Sequence, residues 1–529
     1  AFEFATETIK GKGAAADELV VPYLGKQLRG DALRRKLADW VAHGIIEPSA
    51  AAELNLVIDN PQWLRLAGQR VAVLGAGAQT SPLPALTSWG AEVLAVDLPR
   101  EQVWERILET AREGASTVHF PVRTDVKGSV AARAGANVIE NVPELAHWLR
   151  GFNDQPMVLG VYIYADGALH VQATLAADVI GTSLVANGQK VAMAYAGTPS
   201  DCFLVSPDAV EDSNSRRRSR KWRALELPMR TVSAGKLYAP AYDELLESAD
   251  GDSMGIIDAI VTQQGPNYSL AKRLQRWRAI ESWRDGQQAS FNVAPPTWTV
   301  SVTKNRVLAA GYYGARAAGL EVFAPETMSV LMTALLIHDL NVAPVDEHPE
   351  LRLTRAGVHG GYWRVPFDIR STLLYTGLVG IPRAYIAASQ FRCSCDGMLL
   401  AIAACEAAPT RCLAGDAAFD GEPAVSVFGT QSLQKYKGSW WVTGLSKGDK
   451  RFKVAPGRLN SPRAVLPAQQ LGSNQTIGLG FLGHALVALD QCRFLVGVNV
   501  CINGGDNFFG HVVAFDEGCW WAHSATSSE

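Results

Sequence analysis

The chain contains 529 residues, of which 48% are hydrophobic and 19% are charged. This length and apolar share allow a large core divided among roughly two to four domains, and they exclude wholesale disorder. Its 49 Lys and Arg residues against 52 Asp and Glu residues give a net charge of −3, which excludes a general attraction to nucleic acid or anionic lipid.

Residues 1–67 are predicted to form an N-terminal helical segment. Within Glu18–Leu56, apolar residues such as Leu33, Leu37 and Trp40 recur at helical spacing, with charged residues between them. The apolar stretches further along the chain are interrupted before the roughly 20 residues that a bilayer span requires. We therefore expect a soluble protein without a transmembrane segment, in the cytoplasm or in the lumen or matrix of an organelle.

Residues 68–390 are predicted to form an α/β domain. Short strands at Arg70–Leu74, Glu92–Val96 and Thr117–Val122 alternate with helical segments, and the alternation resumes at Pro156–Tyr164. Parallel neighbours in a sheet need a crossover connection, usually a helix. The pattern therefore predicts a doubly wound parallel sheet of the Rossmann-like type.

Two further segments of this domain matter for function. A long helix is predicted over Met254–Ser282, followed by a β-rich stretch at Ala289–Val293. The one dense basic run, Ser213–Lys221, is interpreted as a solvated surface rather than a phosphate contact, because it is short and lies in a polar setting. No nucleic-acid partner is predicted.

Residues 391–529 are predicted to form an irregular C-terminal extension. Seven of the eight cysteines fall there: Cys393, Cys395, Cys405, Cys412, Cys492, Cys501 and Cys519. Their spacing does not match a zinc knuckle, so structural free thiols are favoured over disulfides and no metal site is assigned. The tryptophan pairs at 440–441 and 520–521 fit either a docking surface for a protein partner or the core of an appended module.

A glycine loop follows the first strand of the α/β domain. Gly75, Ala76 and Gly77 would let the backbone approach a pyrophosphate, and Asp97, 22 residues after Gly75, closes the next strand where an acid can bind ribose hydroxyls. Thr80 stands where the usual fingerprint has its third glycine. Dinucleotide binding is favoured, and a purely structural tight turn is the alternative.

A tyrosine and a lysine stand four residues apart on the predicted long helix. Tyr268 and Lys272 therefore share one helical face, where the ammonium can lower the pKa of the phenol and make it a general acid or base near neutral pH. Taken alone, such a pair more often represents an aromatic residue that packs beneath a surface lysine.

Taken together, these motifs resemble the short-chain dehydrogenase/reductase family over roughly residues 68–340. Tyr268-Ser269-Leu270-Ala271-Lys272 matches the family's Tyr-Ser-x-x-Lys helix. Asn292-Val293-Ala294-Pro295-Pro296 follows it at the place of the family's Asn-x-x-x-Pro-Gly turn, with Pro296 in place of the glycine.

The resemblance implies a role for the catalytic residues. Tyr268 would donate or accept the proton, while Lys272 would lower its pKa and bind the nicotinamide ribose. The family's carbonyl-orienting serine lies about a dozen residues before the tyrosine, where this chain has Gly255. Ser233 is preferred over Ser253 for that role, because its surroundings resemble a strand end and strand ends face the ligand crevice.

The resemblance also implies a set of cofactor-binding residues. Asp97 would bind the adenosine ribose and favour NAD over NADP by repelling a 2′-phosphate. Asp166 and Gly167 would stand in place of the family's Asn-Asn-Ala-Gly turn, and Asn292 and Pro295 would also lie beside the cofactor.

The sequence therefore predicts an NAD(P)-dependent oxidoreductase that moves hydride between nicotinamide and a carbonyl or alcohol carbon of a small molecule. The alternative is a catalytically inactive Rossmann-like accessory or scaffold subunit whose C-terminal extension docks it into a larger complex. The ordered Tyr, Lys and Asn–Pro set favours the enzyme. The unusual glycine loop and the absence of a serine at its usual position favour the scaffold.

Overall fold

A computed structural model describes residues 2–219, 223–242, 245–247, 253–304, 306–345 and 347–392, together with nine strands between residues 418 and 525. The chain separates into two compact units, Ala1–Ala384 and Tyr385–Glu529. Each unit is described by itself.

The first unit alternates strands and helices along most of its length. Its strands are β1 (Ala5–Lys10), β2 (Val21–Tyr23), β3 (Lys26–Leu28), β4 (Arg70–Leu74), β5 (Glu92–Val96), β6 (Thr117–Val122), β7 (Met157–Val161), β8 (Val191–Gly197), β9 (Cys202–Val205), β10 (Leu246–Glu247), β11 (Ser253–Asp258) and β12 (Ala289–Val293). Its helices are α1 (Gly30–Ala42), α2 (Pro48–Asp59), α3 (Leu83–Trp89), α4 (Glu101–Glu113), α5 (Val130–Arg133), α6 (Val142–Arg150), α7 (Ala168–Ala186), α8 (Pro207–Ser219), α9 (Arg223–Val232), α10 (Pro266–Arg284), α11 (Val300–Lys304), α12 (Arg306–Gly314), α13 (Pro325–Asn341), α14 (Pro349–Arg355) and α15 (Ile369–Arg392).

A seven-stranded sheet in the order β1-β6-β5-β4-β7-β8-β12 forms the centre of this unit. Every neighbouring pair is parallel except β1 with β6. Strands β4, β7, β8 and β12 are buried along their whole length, as the interior of a parallel sheet covered on both faces requires. The predicted doubly wound, Rossmann-like α/β fold is confirmed. The first 67 residues contribute the edge strand β1 as well as helices.

Helices cover both faces of the sheet. Helices α1, α2, α3, α4 and α13 enclose one hydrophobic core, which includes Trp40 and Trp104. Helices α6, α7 and α10 enclose the other, which includes Trp148 and Ile180. The two layers follow from the topology, because right-handed crossovers that proceed in opposite directions from the centre of the sheet place the helices of the two halves on opposite faces.

Helix α7 is the one helix in the described residues that is long and apolar enough to cross a bilayer, and 44% of its apolar window is buried inside the protein. It packs against α6 and α10 in the layer over the sheet. A core helix meets the same criteria of length and composition, so α7 is weak grounds for a membrane span. The described part has the architecture of a soluble α/β protein.

The long helix predicted over Met254–Ser282 is wrong in its first third. The structure has strand β11 there, paired antiparallel with β9, and α10 begins only at Pro266. Proline at the first helical position starts a helix well, and Gly265 supplies the φ of +82° that turns the chain into it. In β11 the residues alternate between buried and exposed positions, which is a strand pattern.

Beyond Arg392, where α15 ends, the described part of the second unit consists of nine strands: β13 (Ala418–Phe419), β14 (Glu422–Pro423), β15 (Val425–Ser426), β16 (Ser432–Tyr436), β17 (Ser439–Thr443), β18 (Phe452–Lys453), β19 (Phe494–Ile502), β20 (Asp506–Phe515) and β21 (Gly518–Ala525). Strands β15 to β18 form a four-stranded sheet, and β19 to β21 form an antiparallel three-stranded sheet. The side chains of the seven cysteines and the tryptophan pairs lie outside the described residues, as do Arg220 and Lys221 of the basic run.

Candidate active site at the carboxyl edge of the sheet

The strand order reverses between β4 and β7. From β4 the chain proceeds to β5 and β6 on one side, and from β7 it proceeds to β8 and β12 on the other. The loops that leave these two strands touch, since the backbone N–H of Tyr162 donates to the carbonyl oxygen of Leu74 at 2.9 Å. In open α/β sheets this reversal at the carboxyl edge is where ligands bind.

The glycines of the first loop are required by the packing of the protein itself. Gly75 has a φ of +91°, and a Cβ there would lie 2.8 Å from the carbonyl carbon of Tyr162. A Cβ at Gly77 would lie 2.5 Å from Val103 Cγ1 in α4. Ala76 donates its N–H to the carbonyl oxygen of Val96 at 3.1 Å. The loop therefore has the geometry of a tight structural turn, whether or not a pyrophosphate binds there.

Asp97 orders this loop from the end of β5. Its Oδ2 accepts the N–H of Gly77 at 2.7 Å, and its Oδ1 accepts the N–H of Leu98 at 2.7 Å. Burial raises its pKa. Each carboxylate oxygen keeps a second lone pair, so a ribose hydroxyl can still donate to this side chain.

The start of α3 offers few donors for a phosphate. Pro82 and Pro84 have no N–H, and the N–H of Leu83 donates to Ser81 Oγ at 3.2 Å. Among the described residues, the N–H groups of Gln79 and Thr80 donate to no protein acceptor. A pyrophosphate would therefore depend on the loop rather than on the helix end.

Lys272 reaches the same edge of the sheet from α10. Its Nζ donates to the carbonyl oxygen of Ala196 in β8 at 2.9 Å and to Gln275 Oε1 at 3.2 Å. It lies 6.0 Å from the ring centroid of Tyr268. Burial lowers the pKa of Lys272 to about 8. The predicted pair therefore does meet on one helical face at the carboxyl edge.

The expected lowering of the pKa of Tyr268 is wrong. Burial raises the pKa of this phenol, and a hydrogen bond with Thr198 offsets only part of the rise. The physical reason is that the phenol is desolvated, while the ammonium of Lys272 donates its hydrogen bonds to Ala196 and Gln275. In this arrangement the neutral phenol is the stable form of Tyr268.

Thr198 is a site residue that the sequence analysis missed. It follows β8 directly, is only 6% exposed and hydrogen-bonds Tyr268. Its Oγ1 also accepts the N–H of Ser200 at 3.3 Å. The signal was its position immediately after a predicted strand, because strand ends in such sheets face the ligand crevice.

His170 is a second missed residue, in the first turn of α7. It is 1% exposed, and neither ring nitrogen has a hydrogen-bond partner in the described residues. Its ring centroid lies 5.5 Å from that of Tyr268 and 5.4 Å from that of Tyr164. Burial and the nearby Lys272 lower its pKa to about 3, so the imidazole is neutral. A buried imidazole without partners is rare and indicates a place where a ligand can supply one.

Ser233 does not lie at a strand end, so that prediction is wrong. It follows helix α9, where Ala234 and Gly235 adopt φ values of +51° and +80°. Its Oγ donates to the carbonyl oxygen of Arg230 and accepts the N–H of Leu237. These contacts make it a turn residue of α9, and none of its contacts in the described residues involves Tyr268.

The remaining predicted cofactor residues are divided between two places. Asp166 accepts a 3.1 Å hydrogen bond from the hydroxyl of Tyr164, and Gly167 precedes α7 with a φ of +61°, so both lie in the loop after β7. Asn292 instead donates its amide to Asp339 Oδ2 in α13 at 2.8 Å. Pro295 follows β12, and its carbonyl oxygen accepts the hydroxyl of Thr297.

The segment containing α11 and α12 covers this edge. The N–H of Val300 donates to Gln79 Oε1 at 2.8 Å, and Ser301 hydrogen-bonds Tyr164. Tyr312 is half-buried and lies near Tyr268, and the ring of Trp298 packs against the ring of Tyr312 with centroids 5.6 Å apart. A ligand would reach Tyr268 only if this covering segment moved.

The described fold and site define a Rossmann-like α/β protein with a polar, tyrosine-rich cluster at the switch point of its sheet. No family model matches the chain, and a comparison with curated proteins gives no match either.

Proposed function

We propose that the chain is an NAD(P)-dependent oxidoreductase acting on a small carbonyl or alcohol compound. The observation that carries this proposal is the convergence of Thr198, Tyr268 and Lys272 at the carboxyl end of β8, next to the strand reversal. Hydroxyl, phenol and ammonium are the groups needed to bind a carbonyl oxygen and deliver a proton to it.

The donor set of the crevice fits a dinucleotide. Asp97 offers lone pairs for ribose hydroxyls, and Gln79 and Thr80 offer N–H groups for phosphate. The carboxylate of Asp97 supports NAD over NADP, because it would repel a 2′-phosphate. The unpartnered imidazole of His170 supports a further polar contact with a ligand.

When bound, a nicotinamide would supply or accept the hydride. In the reducing direction, Tyr268 donates its phenolic proton to the oxygen that gains negative charge, so hydride and proton together reduce the carbonyl to an alcohol. Thr198 orients the phenol by donating its one hydroxyl proton to the phenol oxygen. The hydrogen bond from Thr198 stabilises the phenolate left behind, and the proton is recovered from solvent.

A nucleotide titration tests this proposal. We expect the full chain to bind NADH at micromolar concentration and to oxidise it with a member of a panel of aldehydes and ketones. Tyr268→Phe should keep NADH binding and lose about 10²–10⁴-fold in turnover. Tyr375→Phe, which removes a hydroxyl from a tyrosine of α15, is the matched control and should retain both properties. The proposal fails when neither NADH nor NADPH binds at millimolar concentration.

The scaffold subunit remains a second candidate, because two observations favour it. Both loop glycines are explained by protein packing, and α11 with α12 covers the crevice. This candidate predicts stable co-purification with a partner, through the C-terminal extension, that is indifferent to Tyr268→Phe. A free chain with reductase activity would eliminate it.

A further inference from the structure

Three potential metal ligands converge on the sheet face covered by α2 and α13. They are Glu53 in α2 and His338 and Asp339 in the last turn of α13. His338 Nδ1 lies 3.3 Å from Asp339 Oδ1 and 3.6 Å from Glu53 Oε2. The three ligand atoms all lie within 4.8 Å of one another. This cluster shares no residue with the tyrosine-rich crevice, and the spacing of the cysteines in the sequence gives no sign of it.

Glu53 presents a free oxygen to this cluster. Its side chain is only 9% exposed, and its Oε2 has no hydrogen-bond partner in the described residues. The other oxygen, Oε1, accepts Arg355 Nε at 3.2 Å, which fixes the carboxylate plane. Burying an unpartnered carboxylate oxygen is costly, so its presence next to an imidazole nitrogen points to a bound cation.

Asp339 is oriented toward the same point by its other oxygen. Its Oδ2 accepts Ser290 Oγ at 2.7 Å and Asn292 Nδ2 at 2.8 Å, both from β12. Oδ1 is thereby left facing His338. Hydrogen bonds that hold the non-coordinating atom of a ligand are characteristic of metal sites.

We propose that Glu53, His338 and Asp339 bind a divalent transition-metal ion of the Zn²⁺ type, which ties α2 to α13. Ligands about 2.1 Å from a tetrahedral ion lie about 3.4 Å apart, close to the two observed separations. One imidazole and two carboxylates suit Zn²⁺, whereas Mg²⁺ and Ca²⁺ prefer six or more oxygen ligands. A water molecule completes the tetrahedron.

Proton sharing is the competing explanation of the cluster. Burial and the charge of Asp339 raise the pKa of Glu53 to about 7, so without a cation this carboxyl holds a proton near neutral pH. A protonated Glu53 would relieve the same electrostatic cost that a metal ion relieves. The two explanations differ in whether the folded chain retains a metal.

Measuring the metal content of the full chain distinguishes metal binding from proton sharing. The protein is stripped with a chelator, incubated with excess Zn²⁺ and passed through a desalting column before elemental analysis. We expect Glu53→Gln and His338→Gln each to retain one equivalent of Zn²⁺ less than the wild type. His119→Gln is the matched control, because His119 Nε2 contacts Glu92 Oε1 at 3.1 Å without belonging to a three-ligand group in the described residues. It should retain the wild-type content.

A wild-type chain that retains no more Zn²⁺ than folded His338→Gln overturns the proposal. Should the variants fail to fold, a Co²⁺ titration of the wild type decides the matter. The proposed nitrogen and oxygen ligands predict a visible d–d band that saturates and that Zn²⁺ displaces. A cobalt spectrum with only thiolate charge-transfer bands would show that the metal is bound by cysteines. The absence of any cobalt band would show that the chain has no such site. Either result contradicts the proposal.

Discussion

The ammonium of Lys272 donates a 2.9 Å hydrogen bond to the carbonyl oxygen of Ala196, near the carboxyl end of β8. No carboxylate among the described residues contacts this part-buried cation. The carbonyl is one end of a peptide dipole and compensates only part of the lost hydration, which is why burial lowers the pKa of Lys272 to about 8.

This lysine should make the protein more stable in mild alkali. Between pH 8 and about 10.5 the unfolded chain binds the lysine proton and the folded chain does not, so the free energy of unfolding should rise by about 3 kcal/mol across that window. Lys272→Met should remove this rise, as measured by urea unfolding at pH 7 and pH 9.5. The exposed Lys190→Met should keep it. An identical pH slope in wild type and Lys272→Met would contradict the prediction.

Thr198 should matter for turnover more than for nucleotide binding. Thr198→Val keeps the shape of the side chain but removes the hydroxyl that bonds Tyr268 and accepts the N–H of Ser200. We expect a lower kcat with little change in NADH affinity, and a stability loss of about 1 kcal/mol. Thr198→Ser should restore activity. Full turnover in Thr198→Val would remove this residue from the site.

Glu47 should protect the fold against acid. Burial opposes its ionisation, but hydrogen bonds from Arg364 and His359 outweigh burial and lower its pKa to about 2. The unfolded chain therefore binds this proton first, and about 3 kcal/mol of stability is present above pH 4.5 and lost as the pH falls toward 2.

The Glu47→Gln variant tests whether ionised Glu47 stabilises the folded chain above pH 4.5. The variant should be destabilised by about 3–5 kcal/mol at pH 7, because Arg364 loses a buried partner, and its acid unfolding should be shallower. Exposed Glu113→Gln is the control. The measurement is urea unfolding at several pH values between 3 and 7, and parallel curves for wild type and Glu47→Gln would refute the assignment.

Replacing Gly75 by alanine should lower the free energy of unfolding more than replacing Gly68, a glycine of similar backbone conformation. Gly68 has a φ of +77° and open space around its Cβ position, whereas Gly75 has a φ of +91° and a carbonyl carbon 2.8 Å away. Both alanine variants bear the left-handed backbone cost of about 1–2 kcal/mol. Gly75→Ala should cost about 1–3 kcal/mol more from overlap with Tyr162. Equal urea midpoints for the two variants would show that the loop relaxes.

The sheet was predictable because its signals are local. Strands β4, β5 and β6 are short apolar runs with short connections, and the sequence placed their bounds where the structure has them. The first third of the helix expected over 254–282 was wrong because Ile256 and Ile257 pair with β9, a long-range contact that overrides the apparent helical pattern.

The candidate site was predictable only in part. Tyr268 and Lys272 share a helix, so their spacing placed them on one face. Thr198 lies far from them in sequence, because β9, α8, α9, β10 and β11 intervene, and the family's serine position close to the tyrosine does not point to it. Glu53 and His338 meet only through the packing of α2 on α13, and no local pattern reveals such a pair.

Strand β1 has a consequence for handling the protein. It pairs with β6 from Ala5 to Lys10 and covers what would otherwise be the exposed border of the parallel sheet. A chain trimmed to begin at Gly11 would present the free backbone groups of β6 as a template for another molecule. Self-association and precipitation of such a shortened chain would then be the expected result of losing one edge strand.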